Sequence, residues 1–437
     1  MKKVLTLAII HFAGIFLYCQ QTGIDKIIED KYSYLESLYT NLHQSPELSS
    51  QENLTSQKIA DELEKAGYEV TTNFSGFGIV GVLKNGEGPT VLIRTDMDAL
   101  PLLEKTGLEY ASRQKATLNG NEVDVMHACG HDMHMTVFTG TAYALSALKE
   151  QWRGTVLLIA QPAEETGDGA KGMLDKGLFS RFGTPDYGLA YHVSAELESG
   201  KIGYCHGPAM ASVSSVNIIM KGLGGHGAYP HKTIDPVVLS ARAVLAIQTL
   251  VSRETSPLES SVVTVGAING GYKHNVIPDE VELLLTLRSY SEEVRKQTIE
   301  GLERITKGIA ISAGVPEEKY PEVIVQDGYT PPVINDIDLT NRWVHVINES
   351  IGYENVVQVD PVMAGEDFGL YGDSEEEVPI CLMWLGAVSP KKMQDHIENG
   401  TKLPPLHSPL FAPYPNTTIK TGIRSMVGVV MDLMKAD

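Results

Sequence analysis

Cysteine is scarce in this chain: Cys19, Cys129, Cys205 and Cys381 are the only four among 437 residues. So few thiols over such a length make no disulfide framework, which excludes a small stapled scaffold. Positive charge is also in short supply. Lys and Arg number 35 against 55 Asp and Glu, a formal net charge of −20. A surface of that sign repels phosphate backbones and speaks against nucleic-acid partners. There is no low-complexity tract, internal repeat or long flexible linker. Beyond the first twenty residues no run reads as long and apolar enough to span a bilayer. A glycine-rich phosphate cradle after the first strand is missing too, which removes a nucleotide-binding α/β protein.

The N-terminus differs from the rest. "MKK" precedes the apolar run "VLTLAIIHFAGIFLY", the charged-then-greasy plan of a secretory signal. It predicts a signal peptide over residues 1–20 and an exported, periplasmic or secreted, protein. Lipid anchoring at Cys19 is the alternative, against which the bulky Tyr18 argues; a buried N-terminal helix is the third reading. Loss of Cys19 would leave three thiols. An exported protein that keeps Cys129 beside histidines is expected to occupy that thiolate with metal.

The length exceeds what one core usually serves, so two domains are expected. Residues from about Gly23 to Ala66 read as helical, with Ile59, Leu63 and Ala66 on one face and Gly67 as the stop. Short apolar runs follow, "GIVGVL", "PTVLIRTDMDAL", "GTVLLIAQPAEE" and "YGLAYHVS", as buried parallel strands do. "HDMHMTVFTGTAYALSALKE" is spaced as a helix with Asp132 as its N-cap. The alternation indicates an α/β fold. Over residues 211–323 the rhythm becomes β-α-β-β-α, which suggests a ferredoxin-like α+β insertion. Residues 21–210 and 324–437 then form the two parts of the main domain.

Polar residues gather at the ends of the expected strands: Asp96 and Asp98, Glu164 and Glu165, and His192. In open α/β sheets that edge is where ligands bind. One such residue has a bland explanation as a cap or core histidine; several on one edge do not. "HACGHDMH" (127–134) adds Cys129 and His131 in a loop able to wrap a cation. Thiolate, imidazole and carboxylate together suit zinc, with manganese, cobalt or nickel as alternatives. His407, in "LPPLHSPLF", is by itself an ordinary surface histidine.

Taken in order, "RTDMDALPL", "HACGHDMH", "AQPAEETGDGAKGML", "YHV", "GGHGAYPH", "NVIPDEVELLLTLR", "GEDF" and "LHSPLFAP" resemble a metallo-amidohydrolase family. Its members are N-acyl-amino-acid amidohydrolases, hippurate hydrolases and indoleacetyl-amino-acid hydrolases, within the aminoacylase and carboxypeptidase superfamily. The similarity runs from "LHQSPELS" near Leu42 to the C-terminus. It implies a mostly parallel-sheet catalytic domain with two divalent metal ions, and an inserted lid or dimerisation domain. Carried over, it implies Cys129 as the bridging ligand, His131 and His192 on one metal, and Glu165 and His407 on the other. Glu164 would be the general base and acid, and Asp98 the orienter of a ligand imidazole. His226 would donate to the oxyanion, reaching a neighbouring subunit's site in a homodimer. Asn275 and Arg288 would grip the substrate's carboxylate; a surface salt bridge is the alternative for Arg288. His127 and His134 are left to support or packing, and His231 to solvent. "INGGYKHNVIPDE" and "MAGEDFGLY" depart from the pattern at Lys273, His274, Ala364 and Gly365, which leaves substrate identity open.

The implied substrate is a small N-acyl-amino acid or short peptide. A carboxypeptidase or dipeptidase with the same centre is the rival enzyme. A non-catalytic metal-binding protein on this scaffold is the rival class, against which Glu164 argues.

Overall fold

In the computed structural model the described residues run from Lys2 to Lys435, with side chains described from Gly23 onward. The expected signal peptide, with Cys19, lies outside the residues so described. The chain divides into two compact units: residues 1–207, 334–360 and 370–437, and residues 208–333 and 361–369.

The first unit is built on an eight-stranded sheet. Its order is Glu69–Thr71, Ile79–Asn85, Gly154–Gln161, Thr90–Asp96, Tyr187–Glu198, Ile380–Val388, Ile202–Tyr204, Val356–Gln358. The four central strands, from Gly154–Gln161 to Ile380–Val388, run parallel, and the Ile79–Asn85 strand is antiparallel to them. The fold is therefore α/β with a mostly parallel sheet, as expected. These central strands are buried on both faces, Ile380–Val388 along its whole length, which explains their unbroken Val, Ile and Leu content. Helix His131–Ala147 packs between the first helix (Lys2–Gln44) and the last (Pro415–Leu433), and against the Thr90–Asp96 strand.

Register brings the polar residues level. Asp96 pairs with Gln161, the last residue of its strand, and Arg94 pairs with Ala190. His192 is thus level with Asp96 on the opposite side. His192 does not end its strand, as the sequence suggested; the strand continues to Glu198, because the sheet neighbour Ile380–Val388 keeps pairing alongside it.

Two other expectations are corrected. The helical stretch from Gly23 to Ala66 is two helices, ending at Gln44 and resuming at Asn53. Pro46 breaks the ladder, since proline lacks the amide that would continue it. Asp132 is not the N-cap of its helix. Gly130 holds that place with φ 82°, and a Cβ there would lie 2.6 Å from Val193 Cγ2.

The second unit has a four-stranded antiparallel sheet, ordered Ser261–Asn269, Glu280–Ser289, Ser214–Lys221, Glu322–Val325. With helices Pro236–Thr249 and Glu292–Ser312, the chain order is β-α-β-β-α-β, a ferredoxin-like arrangement. A boundary after residue 323 cuts the last strand, which pairs with Ser214–Lys221 and so belongs to this unit. By length and composition Pro236–Glu254 is apolar enough to cross a membrane, contrary to the sequence reading. Its Leu239, Ala243, Ile247 and Leu250 lie in the core of the unit, which accounts for the apolarity.

Candidate metal centre

Five side chains that the sequence scatters from 129 to 407 come together in the first unit. Cys129 Sγ lies 3.4 Å from His192 Nε2 and 3.2 Å from His407 Nε2. Glu165 Oε1 is 3.4 Å from His407 Nε2 and 3.9 Å from His131 Nε2. Ligands bound at about 2.3 Å for sulfur and about 2.0 Å for nitrogen or oxygen in a tetrahedron stand about 3.4–3.6 Å apart. The three spacings within a proposed ligand set, Cys129 to His192, Cys129 to His407 and Glu165 to His407, run from 3.2 to 3.4 Å and lie close to that requirement. Two donor sets meet at Cys129: Cys129, His131 and His192, and Cys129, Glu165 and His407. A third set, His131, Glu164 and Glu165, brings the second carboxylate beside them.

Unpaired atoms point the same way. His131 is fully buried, and neither ring nitrogen makes a hydrogen bond among the described residues; Glu165 Oε1 also lacks one. Buried polar atoms are normally paired, so His131 Nε2 and Glu165 Oε1 fit a metal, while His131 Nδ1 faces Asp98. Burial, with Glu165 behind it, pushes the Cys129 thiol up, and a cation at sulfur would reverse that. Burial works against protonation of His131, but Asp96, Asp98 and Cys129 outweigh it and hold it well above the usual histidine range. Burial, then His134, hold His192 well below that range. Its Nδ1 meets the Val193 carbonyl at 2.9 Å, which leaves Nε2 directed at the sulfur as an acceptor or ligand.

Local backbone explains how adjacent acids diverge. After Gln161 the chain turns through Pro162 and Ala163, whose φ is 55°. Glu164 and Glu165 therefore leave the strand direction. His407 also has a left-handed φ, 61°, and its amide donates to the Ala128 carbonyl, tying its loop to the Cys129 loop.

Asp98 Oδ1 faces His131 Nδ1 at 3.4 Å. Asp98 Oδ2 accepts from Ser49 Oγ at 2.6 Å and from the Glu165 amide at 2.9 Å. Asp96 pairs with Arg94 at 2.6 Å and with His134 Nδ1 at 2.7 Å. His134 Nε2 accepts the Val193 amide at 2.8 Å. Both His134 nitrogens are thus in use, which makes it a support rather than a ligand. His127 is buried without a hydrogen-bond partner among the described residues, and burial lowers it to about 4.

Sequence reasoning missed three supports. Asp96 was visible as the alternate acid of "RTDMD", two positions from Asp98 and at the end of its strand. His43, bonded to Asp132 at 2.6 Å and to Glu104 at 3.1 Å, had no local signal. Nor had Glu52, which accepts the Ala163 amide at 2.8 Å.

His226, Asn275 and Arg288 belong to the second unit. His226 pairs with Val276 across a two-residue ladder, which makes it a neighbour of Asn275. Its Nδ1 accepts the Ala228 amide at 3.0 Å, so the proton sits on Nε2. Asn275 Oδ1 has no hydrogen-bond partner among the described residues. Arg288 is half-buried with no acidic partner among the described residues, and burial lowers its pKa. Gly365 is explained by packing, since a Cβ there would lie 2.2 Å from Val213 Cγ2 and 3.0 Å from Arg288 Nη1. His231 is exposed.

Comparison with known proteins agrees with this geometry. Residues 92–401 match the description of peptidase family M20/M25/M40. An IAA-amino acid hydrolase of Arabidopsis thaliana is 36% identical over 382 residues, covering 87% of this chain and 81% of that one. Thermostable carboxypeptidase 1 of Saccharolobus solfataricus is 35% identical over 373 residues, 84% of this chain and 88% of that one. The crystal structure of a dinuclear metal-binding M20 peptidase from Bacillus subtilis superposes with a TM-score of 0.76 at 29% identity, covering 93% and 99% of the two chains.

Proposed function

Because the chain belongs to peptidase family M20/M25/M40, we propose that it is a metal-dependent amidohydrolase of N-acyl-amino acids or related small acyl or peptidyl substrates. The observation that carries this is the pair of donor sets sharing Cys129, with Glu164 beside them.

Cys129 would serve both ions, with His131 and His192 holding one and Glu165 and His407 the other. Zinc suits the thiolate and imidazoles, with manganese, cobalt or nickel able to use the same donors. When bound, such ions would polarise the scissile carbonyl and lower the pKa of a water. Glu164 takes the water's proton and passes it to the leaving amine, a role worth about 10²–10⁴ in rate. Asp98 fixes the His131 tautomer by holding a proton on Nδ1, which leaves Nε2 to the metal. The Nε2 proton of His226 suits it to donate to the developing oxyanion. Asn275 and Arg288 grip the substrate's carboxylate, for which guanidinium is a bidentate fork.

A homodimer through the second unit is part of this reading. Its helix Pro236–Thr249 exposes Val237, Val238 and Leu245, and the edge strand Ser261–Asn269 exposes Ile268, apolar surface that a partner would cover. Export by residues 1–20 is likewise part of it, supported by the charged start and apolar run; the mass of the mature N-terminus tests it.

Similarity to the carboxypeptidase supports a second reading, peptidase action with the same centre. Purified protein of measured metal content, assayed with acetylated and benzoylated amino acids against dipeptides, separates the two. Faster turnover of the acylated amino acids is expected. Chelator-resistant hydrolysis, or none, would sink both.

A further inference from the structure

The loop between the first two helices, "SPELSSQE", supplies no ligand, yet it is wired into the turn that carries both glutamates. Glu52 at its end is fully buried. Its Oε1 accepts the Ser50 amide at 2.9 Å and the Ala163 amide at 2.8 Å. Its Oε2 has no hydrogen-bond partner among the described residues. Burying a carboxylate so incompletely paired is unfavourable, so a fold that keeps one needs a use for it.

That use is visible at Ala163. The residue precedes Glu164 and holds φ at 55°, a left-handed conformation that any residue with a Cβ resists. Its carbonyl accepts the amides of Asp168 and Gly169 at 3.2 Å each, while its amide goes to Glu52. Both backbone groups of the strained residue are therefore fixed, one by the following turn and one from 111 residues away. The same loop secures the neighbouring support. Ser49 and the Glu165 amide meet on one oxygen of Asp98.

We propose that Glu52 is a positioning residue: through the Ala163 amide it holds the strained turn that aims the Glu164 carboxylate at the substrate. The proposal rests on the reading of Glu164 as general base. Without the Glu52 acceptor, Ala163 relaxes toward negative φ and carries Glu164 out of line. Misplacement of a catalytic group by about 1 Å costs on the order of 100-fold. Burial, then the Asp98 carboxylate, push Glu52 up to about 7, so a neutral amide mimics it closely.

The test compares E52A, E52D, E52Q, the double variant E52A/A163G and E164Q, with kinetics on an acetylated amino acid and bound metal measured on each. E52A is expected to lose about 10–100-fold in kcat with KM nearly unchanged. E52D, too short to reach the amide, should fall alike and covers the case in which E52A does not fold. E52Q keeps a carbonyl acceptor and should stay within about threefold of wild type. Glycine takes positive φ freely, so E52A/A163G should regain about fivefold or more over E52A. Amide exchange across residues 163–168 of metal-stripped protein should quicken in E52A and E52D but not in E52Q. Wild-type kcat in E52A or E52D, beside an inactive E164Q, would overturn the positioning role and leave the base intact. An active E164Q would instead overturn the base. A loss in E52A that merely tracks lost metal, or that glycine at 163 does not relieve, also overturns the proposal.

Discussion

Cys129 Sγ lies 3.2 Å from His407 Nε2, although 278 residues separate them in the chain, and the same sulfur lies 3.4 Å from His192 Nε2. A thiol has one proton and cannot donate to two imidazoles. Two cations sharing the thiolate, as proposed, would satisfy all three groups. Cys129→Ala is therefore expected to lose metal and activity together. His407→Ala should strip one ion and keep the other, with metal analysis reading both.

Glu164→Gln separates chemistry from binding. The amide cannot take a proton from water, but the five proposed ligands remain. Bound metal should match wild type while hydrolysis falls by about 10²–10⁴. Turnover at the wild-type rate would contradict the role.

Asp98→Asn keeps the size of the side chain but removes the charge that faces His131 Nδ1 at 3.4 Å. Loss of such a partner costs about 10–100-fold in metal affinity or activity. Competition with a chelator of known affinity measures it.

Arg288→Met should raise KM by about tenfold or more for substrates with a free carboxylate, because a charge-assisted hydrogen bond contributes about 1.5–3 kcal/mol. Amidated analogues should show little change. Equal effects on both would remove the carboxylate grip.

Stability should depend on pH through His43, which sits between Asp132 and Glu104 with all three side chains fully buried. Burial disfavours the imidazolium, but the two carboxylates outweigh it and raise His43 to about 10. The folded value lies above that of an unfolded histidine, about 6.5. The stabilisation is therefore complete below about pH 6.5 and is lost as pH rises through about 10. Removing one member of such a buried set costs about 3–5 kcal/mol. Urea unfolding of wild type and His43→Ala should differ by that order at pH 6 and converge toward pH 10.

Much of this centre was legible because strand ends and a cysteine-histidine loop are local features. "RTDMD", "AQPAEE" and "HACGH" each announce ligand chemistry within a few residues. His407 was not legible on its own; only ordered motifs around it gave it meaning, since its partner Cys129 comes through folding. The supports were harder. His43 and Glu52 act across 89 and 111 residues, and nothing in their own sequence neighbourhoods marks them. Asp132 misled because an acid at a helix start reads as a cap, whereas here its carboxylate turns to His43. The domain boundary failed for a similar reason: "EVIV" is a strand only beside Ser214–Lys221, a partner that lies a hundred residues earlier.

Metal stoichiometry tests the central claim most directly. Metal-stripped protein is titrated with zinc or manganese, and tightly bound ions per chain are counted beside the same titration of Cys129→Ala. Two ions in the wild-type chain, and loss of both high-affinity sites in the variant, are predicted. Fewer than two in wild type, or two retained without Cys129, would contradict a centre bridged at that sulfur.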